Sequence, residues 1–179
     1  MPSQRRPLLD DGNLLIGAIA AQLASSRDVA PLTLTEGESV TITIFRVLPD
    51  TLQASLRFDK TQGSRRPELG EFTARSGANH IEFDSPGEPV VVQIQGRDST
   101  VIYEALPAGV HGSTYTERRL VIRDADGNPN RFVWPPDQAS KPKLPIGRSE
   151  VTIKVLNVGA ALSGERIQMV VEAPLSFKT

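Results

Sequence analysis

Val40-Thr41-Ile42-Thr43-Ile44 alternates β-branched apolar and polar side chains with a period of two. That period sends one set of side chains to a core and the other to solvent, the pattern of a half-buried strand. After the turn signal Pro49-Asp50, Leu52, Ala54, Leu56 and Phe58 alternate with Gln53, Ser55 and Arg57 in the same way. Residues 40–58 are therefore expected to form two adjacent strands. Working outward, Ile81 to Phe83, Thr100 to Glu104, Thr114 to Arg123 and Arg131 to Trp134 also read as strands, with a short one near Phe72. Val90 to Gln95 is a continuous apolar run at first, which suits a central strand. Asp126-Gly127 is a hairpin signal between the 114–123 and 131–134 segments, because the turn needs a residue tolerant of positive φ. Val151 to Val158 and Glu165 to Glu172 close the series, with Ile167, Met169 and Val171 expected to face inward.

Eight to ten short strands at this spacing favour a single antiparallel β-sandwich, jelly-roll-like, over residues 31–179. Three long segments interrupt them, at 60–79, 105–113 and 135–149, the last rich in proline. No period of 20–50 residues repeats, which excludes a solenoid or propeller.

The period changes upstream. Residues 1–30 read as an N-terminal arm followed by one short apolar helix near 13–25, capped by Asp10, Asp11 or Asn13. Leu15, Ile19 and Leu23 form an i, i+4 stripe, and alanines, leucine and isoleucine fill most of the other faces. A surface helix would show a polar side, and an isolated helix this short is marginal in water. It must dock, on its own body, on another subunit or on a membrane surface. It ends at 25–28, before Pro31, and the strands are expected to start near Leu32.

Composition narrows the function classes. The chain has 179 residues, 20 basic and 21 acidic side chains and a net charge of −1. Phosphate-contacting proteins usually carry a basic excess, so no specific nucleic-acid partner is expected. The absence of cysteine removes disulfides, thiolate metal sites and cysteine nucleophiles. No apolar run reaches the ~20 residues of a membrane span. Arg5 and Arg6 before an apolar run resemble the order of a secretory leader, but Asp10 and Asp11 lie between them with the wrong charge.

Chemistry-bearing constellations are few. His80 and His111 are the two histidines, and His80 with Glu82 supplies two ligand types at strand spacing where a metal usually needs three or four. His111-Gly112-Ser113 lacks the geometry of a triad, and no G-x-S-x-G elbow exists. Asp124-Ala125-Asp126-Gly127-Asn128 resembles the front of a calcium loop, yet Pro135 stands where the bidentate Glu would fall, so a turn explains it better and only a weak cation site is left open. Arg65-Arg66 and Arg118-Arg119 would hold a phosphate or carboxylate bidentately if folding brought the two pairs together, but separate solvated or interface-paired arginines are the expectation. Trp134 precedes Pro135-Pro136 and either seals the end of the body or makes a loop contact.

The expectation is a non-enzymatic structural subunit without catalytic residues, metal or cofactor, most like a phage or viral coat component. Leu15, Ile19 and Leu23 are its interface residues, and Arg65, Arg66 and Trp134 its loop contacts. Its partners are copies of itself and other subunits, and it resides in a particle assembled in the cytoplasm. The alternative is a secreted or surface β-sandwich module that binds a sugar or peptide.

Overall fold

The computed structural model of the chain describes residues 27–46, 50–60, 66–76, 80–112, 114–123, 131–133 and 143–172. Within them the chain is mostly β, and the helical pieces are two three-residue 3-10 turns, Pro67–Leu69 and Ala160–Leu162. The strands are β1 (Arg27–Thr33), β2 (Ser39–Arg46), β3 (Asp50–Thr51), β4 (Gln53–Asp59), β5 (Glu71–Ser76), β6 (His80–Ser85) and β7 (Val90–Gln95). They continue as β8 (Thr100–Ala105), β9 (Val110–His111), β10 (Tyr115–Ile122), β11 (Arg131–Val133), β12 (Lys143–Leu144), β13 (Gly147–Val158) and β14 (Arg166–Glu172).

The main sheet runs β1-β14-β4-β10-β8-β7-β13-β2, all antiparallel, with β9 added on β10. Its two end strands, β1 and β2, lie side by side, so the sheet is nearly closed in a barrel-like shape. β10 makes the corner opposite that seam. Its residues 115–119 pair with β4, and its residues 120–122 pair with β8. The inward positions of this curved sheet make one core, including Leu32, Ile42, Ile44, Leu56, Phe58, Val92, Ile94, Val151, Ile153 and Met169.

Local alternation placed these side chains correctly. Ile42 and Ile44 are buried between exposed threonines, and Ile167, Met169 and Val171 all face the core. β7 is central as expected, flanked by β8 and β13. Three local expectations change. Residues 40–58 hold the two long strands β2 and β4 with the two-residue β3 between them, but β2 pairs with β13 while β4 lies between β14 and β10, so the two long strands are not sheet neighbours. β1 starts at Arg27 rather than near Leu32 and therefore includes residues 27–30, read above as helix end and arm. Pro31 is tolerated there because, among the described residues, β1 is hydrogen-bonded on one side alone, to β14. Third, β11 does not return along β10; it pairs with β6 in a separate sheet of order β11-β6-β5. The expected helix 13–25 and the turn at Asp126-Gly127 lie outside the described residues.

Candidate interaction surface

Two arginines sit where alternation, followed literally, puts core residues. Thr116, Arg118 and Leu120 share the inward face of β10, opposite Phe58 and Leu56 of β4. Arg118 is 1% exposed. Its Nε donates to the Leu106 carbonyl at 2.7 Å, Nη1 to the Glu88 carbonyl at 2.7 Å, and Nη2 to those of Ala105 at 3.0 Å and Pro86 at 3.2 Å. Burial pulls its pKa down to about 10, against the opposing pull of Glu104 and Glu88. The residue pins the 85–89 and 105–109 loops to one end of the barrel.

The loop around Pro67–Leu69 meets the same end. Glu88 N–H donates to the Glu68 carbonyl at 2.7 Å, and Ala108 N–H to that of Leu69 at 3.0 Å. Gly70 and Gly87, both with positive φ, cross so closely that a Cβ on Gly87 would sit 2.6 Å from Gly70 N. Arg66 completes the clasp: Nη1 and Nη2 donate to both oxygens of Glu165 at 2.8 and 2.7 Å, and Nε donates to Glu68 at 2.6 Å. Its hydrogen bond to Arg66 holds the Glu68 carboxyl below the usual carboxylate range. Arg66 is thus committed to carboxylates of its own chain.

The other faces of these strands are covered in part and exposed in part; on β4 and β10 Glu117 is buried. Arg57 and Glu117 are cross-strand partners on β4 and β10, joined at 2.8 Å through Nε, and the Arg57 guanidinium lies 4.1 Å over the Tyr115 ring. On β2 and β13 the outward set is Thr41, Thr43 and Phe45 beside Arg148, Glu150 and Thr152. Phe45 is 66% exposed, and Ile146, just ahead of β13, is 65% exposed. Apolar groups of this size in water mark a contact surface or an aggregation hazard. Val29, Phe72 and Ile102 are also exposed.

Of the residues singled out in the sequence, Leu15, Ile19, Leu23, Arg65, Trp134 and the Asp124–Asp126 segment lie outside the described residues. His80 is on β6 and His111 on β9, in different sheets. Among the described residues no group of three or more His, Asp or Glu side chains could hold a metal ion. Among them, too, no helix is long and apolar enough to cross a membrane. Arg46 and Arg118 were not expected as interior groups, although a signal existed: the alternation Val40, Ile42, Ile44 runs straight on to Arg46. No family model, no curated protein and no solved structure matches this chain.

Proposed function

We propose that the protein is a non-enzymatic structural subunit of a symmetric assembly, of the kind that forms the coat of a phage or virus, on a jelly-roll body. The strand order carries this reading. Four principal strands run β1-β14-β4-β10 and four run β8-β7-β13-β2. The chain passes from one set to the other at β1 to β2, β2 to β4, β4 to β7, β8 to β10, β10 to β13 and β13 to β14, with β7 to β8 as a hairpin within one set. This order supports a jelly-roll reading, in which eight strands form two interlocked Greek keys, an architecture used by viral coat subunits. Exposed Phe45 and Ile146 supply the apolar contact such a subunit needs, and the stripe Leu15, Ile19 and Leu23 supplies a second, toward a neighbouring copy or a membrane surface. The particle would assemble in the cytoplasm, through protein contacts and without a specific nucleic-acid site.

A second reading has support in the same jelly-roll proposal, because lectin domains also use that architecture. In that case the chain is a secreted or surface module, and loop residues such as Trp134 meet a sugar or peptide. Function does not follow from fold alone, so the two separate by experiment. Light scattering on the purified full-length chain should show growth to a discrete, closed oligomer as concentration rises. A monomer at every concentration, together with saturable binding to a glycan array, would overturn the subunit reading in favour of the module.

A further inference from the structure

Arg46 ends β2, and its side chain is 1% exposed. Nη1 donates to the Asp28 carboxylate at 3.2 Å, across the seam between β2 and β1, and to the Phe45 carbonyl at 3.1 Å. Nε and Nη2 are buried and have no acceptor among the described residues. Those two nitrogens form the side-on edge by which a guanidinium grips a planar carboxylate through two parallel bonds. The existing contact is no substitute. At 3.2 Å it is long for a charge-assisted bond, which typically spans about 2.7–2.9 Å, and it uses the other nitrogen.

Ser149 adds a second orphan. Its Oγ is buried without a partner among the described residues. In the β2–β13 register Gly147 faces Arg46 and Ser149 faces Ile44, so Ser149 is the diagonal neighbour of Arg46 on the inward side. The β3–β12 ribbon lies at the same end of the barrel, with Leu52 and Leu144 buried. Between β1 and β13, a cationic edge and a hydroxyl are thus held out of water with no acceptor among the described residues. Buried donors left unmade are costly, and native proteins meet them with an ordered water or an ion.

We propose that the Nε–Nη2 edge of Arg46, with Ser149 Oγ beside it, is an internal receiving site for one carboxylate. The flat, two-oxygen shape matches the edge; because Arg46 and Asp28 already carry opposite charges, a carboxylate leaves one negative charge in excess, which its two parallel bonds to the guanidinium have to offset. A dianionic phosphate would bring a further charge with nothing to balance it. The carboxylate can come from solution or from a polypeptide side chain or terminus, and the shared chemistry is the same.

The test uses full-length protein, melted in acetate and in chloride at equal ionic strength and neutral pH, with isotope labelling to follow the Arg46 Nε–H by NMR. A free-carboxylate site predicts a melting temperature that rises with acetate and saturates, as binding to the folded state alone requires. The rise should vanish in Arg46→Gln and weaken in Ser149→Ala, the milder variant should Arg46→Gln not fold. A polypeptide carboxylate predicts no acetate effect but a through-hydrogen-bond coupling from Arg46 Nε to a carboxylate carbon in wild type. Absence of both the acetate effect and the coupling overturns the proposal. So does an Arg46→Met variant that melts above wild type in both salts, because it would show that the Nε and Nη2 donors go unmade in the folded protein rather than filled.

Discussion

Arg118 and Arg66 are held in two different ways, and their expected contributions differ accordingly. Arg118 satisfies four main-chain carbonyls in the interior, so Arg118→Ala would leave them without donors as well as opening space. At ~1–3 kcal/mol for a buried polar group left unpaired, a loss of about 3 kcal/mol or more is expected in urea denaturation. Arg66 is only partly buried, and its ion pairs with Glu165 and Glu68 remain within reach of solvent. Arg66→Ala should cost about 1 kcal/mol, and less at high salt. A larger loss at Arg66 than at Arg118 would reverse this ranking. Glu104 gives the pH dependence. Burial pushes its carboxyl up, against the pull of Arg123 and Arg118. The folded state then binds the proton more tightly than the unfolded state. The resulting stability is present below the usual carboxylate range and is lost as pH rises through the raised value. Glu104→Gln should therefore be more stable than wild type at neutral pH and level with it in acid. A variant weaker at neutral pH would mean that the Arg123 contact, 3.4 Å away, outweighs burial.

Loops and strands show how the same backbone requirement can carry different weights. Gly37, in the turn between β1 and β2, has φ of 88°, and a Cβ there would meet no atom within 4 Å. Gly37→Ala should cost only the strain of a positive φ, about 1 kcal/mol. Gly87 has φ of 73°, and its Cβ would press on the main chain of Leu69 and Gly70 at 2.6 Å. Gly87→Ala must push the crossing loops apart and should cost at least roughly twice as much, because packed backbone cannot move aside as a side chain can. Thermal melts of the two variants, side by side, decide it: equal losses would mean that the loops are not pressed together. The strands divide similarly. β2 and β4 were legible because alternation is a property of a few consecutive residues. β1 was not, since Pro31 argues against a strand until the chain has placed it at an edge. The β11-β6-β5 sheet was not legible either, since the hairpin signal at Asp126-Gly127 names a turn without naming what the following strand will pair with.

For the whole molecule, the described body begins at Arg27, and every pairing of the main sheet lies after it. Removing residues 1–26 should therefore leave a cooperative melting transition in place, while assembly into the proposed oligomer is lost. Ile19→Asp refines the result. A variant monomer that melts lower places the apolar segment on its own body, whereas unchanged melting with failed assembly places it between subunits. A truncated chain that assembles normally would remove that segment from the mechanism. Phe45→Ser and Ile146→Ser, at sites already in water, should change monomer stability by no more than about 0.5 kcal/mol and weaken assembly. By itself the sequence determined the β class, the faces of most strands and the scarcity of catalytic groups, because periodicity and composition are local or global sums that need no coordinates. Only the tertiary structure decided which strands meet. Thr41 and Thr152 share a hydrogen bond of 2.9 Å across 111 residues, and nothing local to either specifies the other. It also decided that Arg46 and Arg118 lie inside, one unfilled and one satisfied. The tertiary fold fixes which carbonyls and carboxylates come within reach of an inward guanidinium: for Arg46 that geometry exists only once β1 and β2 lie side by side, and for Arg118 only once the 85–89 and 105–109 segments meet β10.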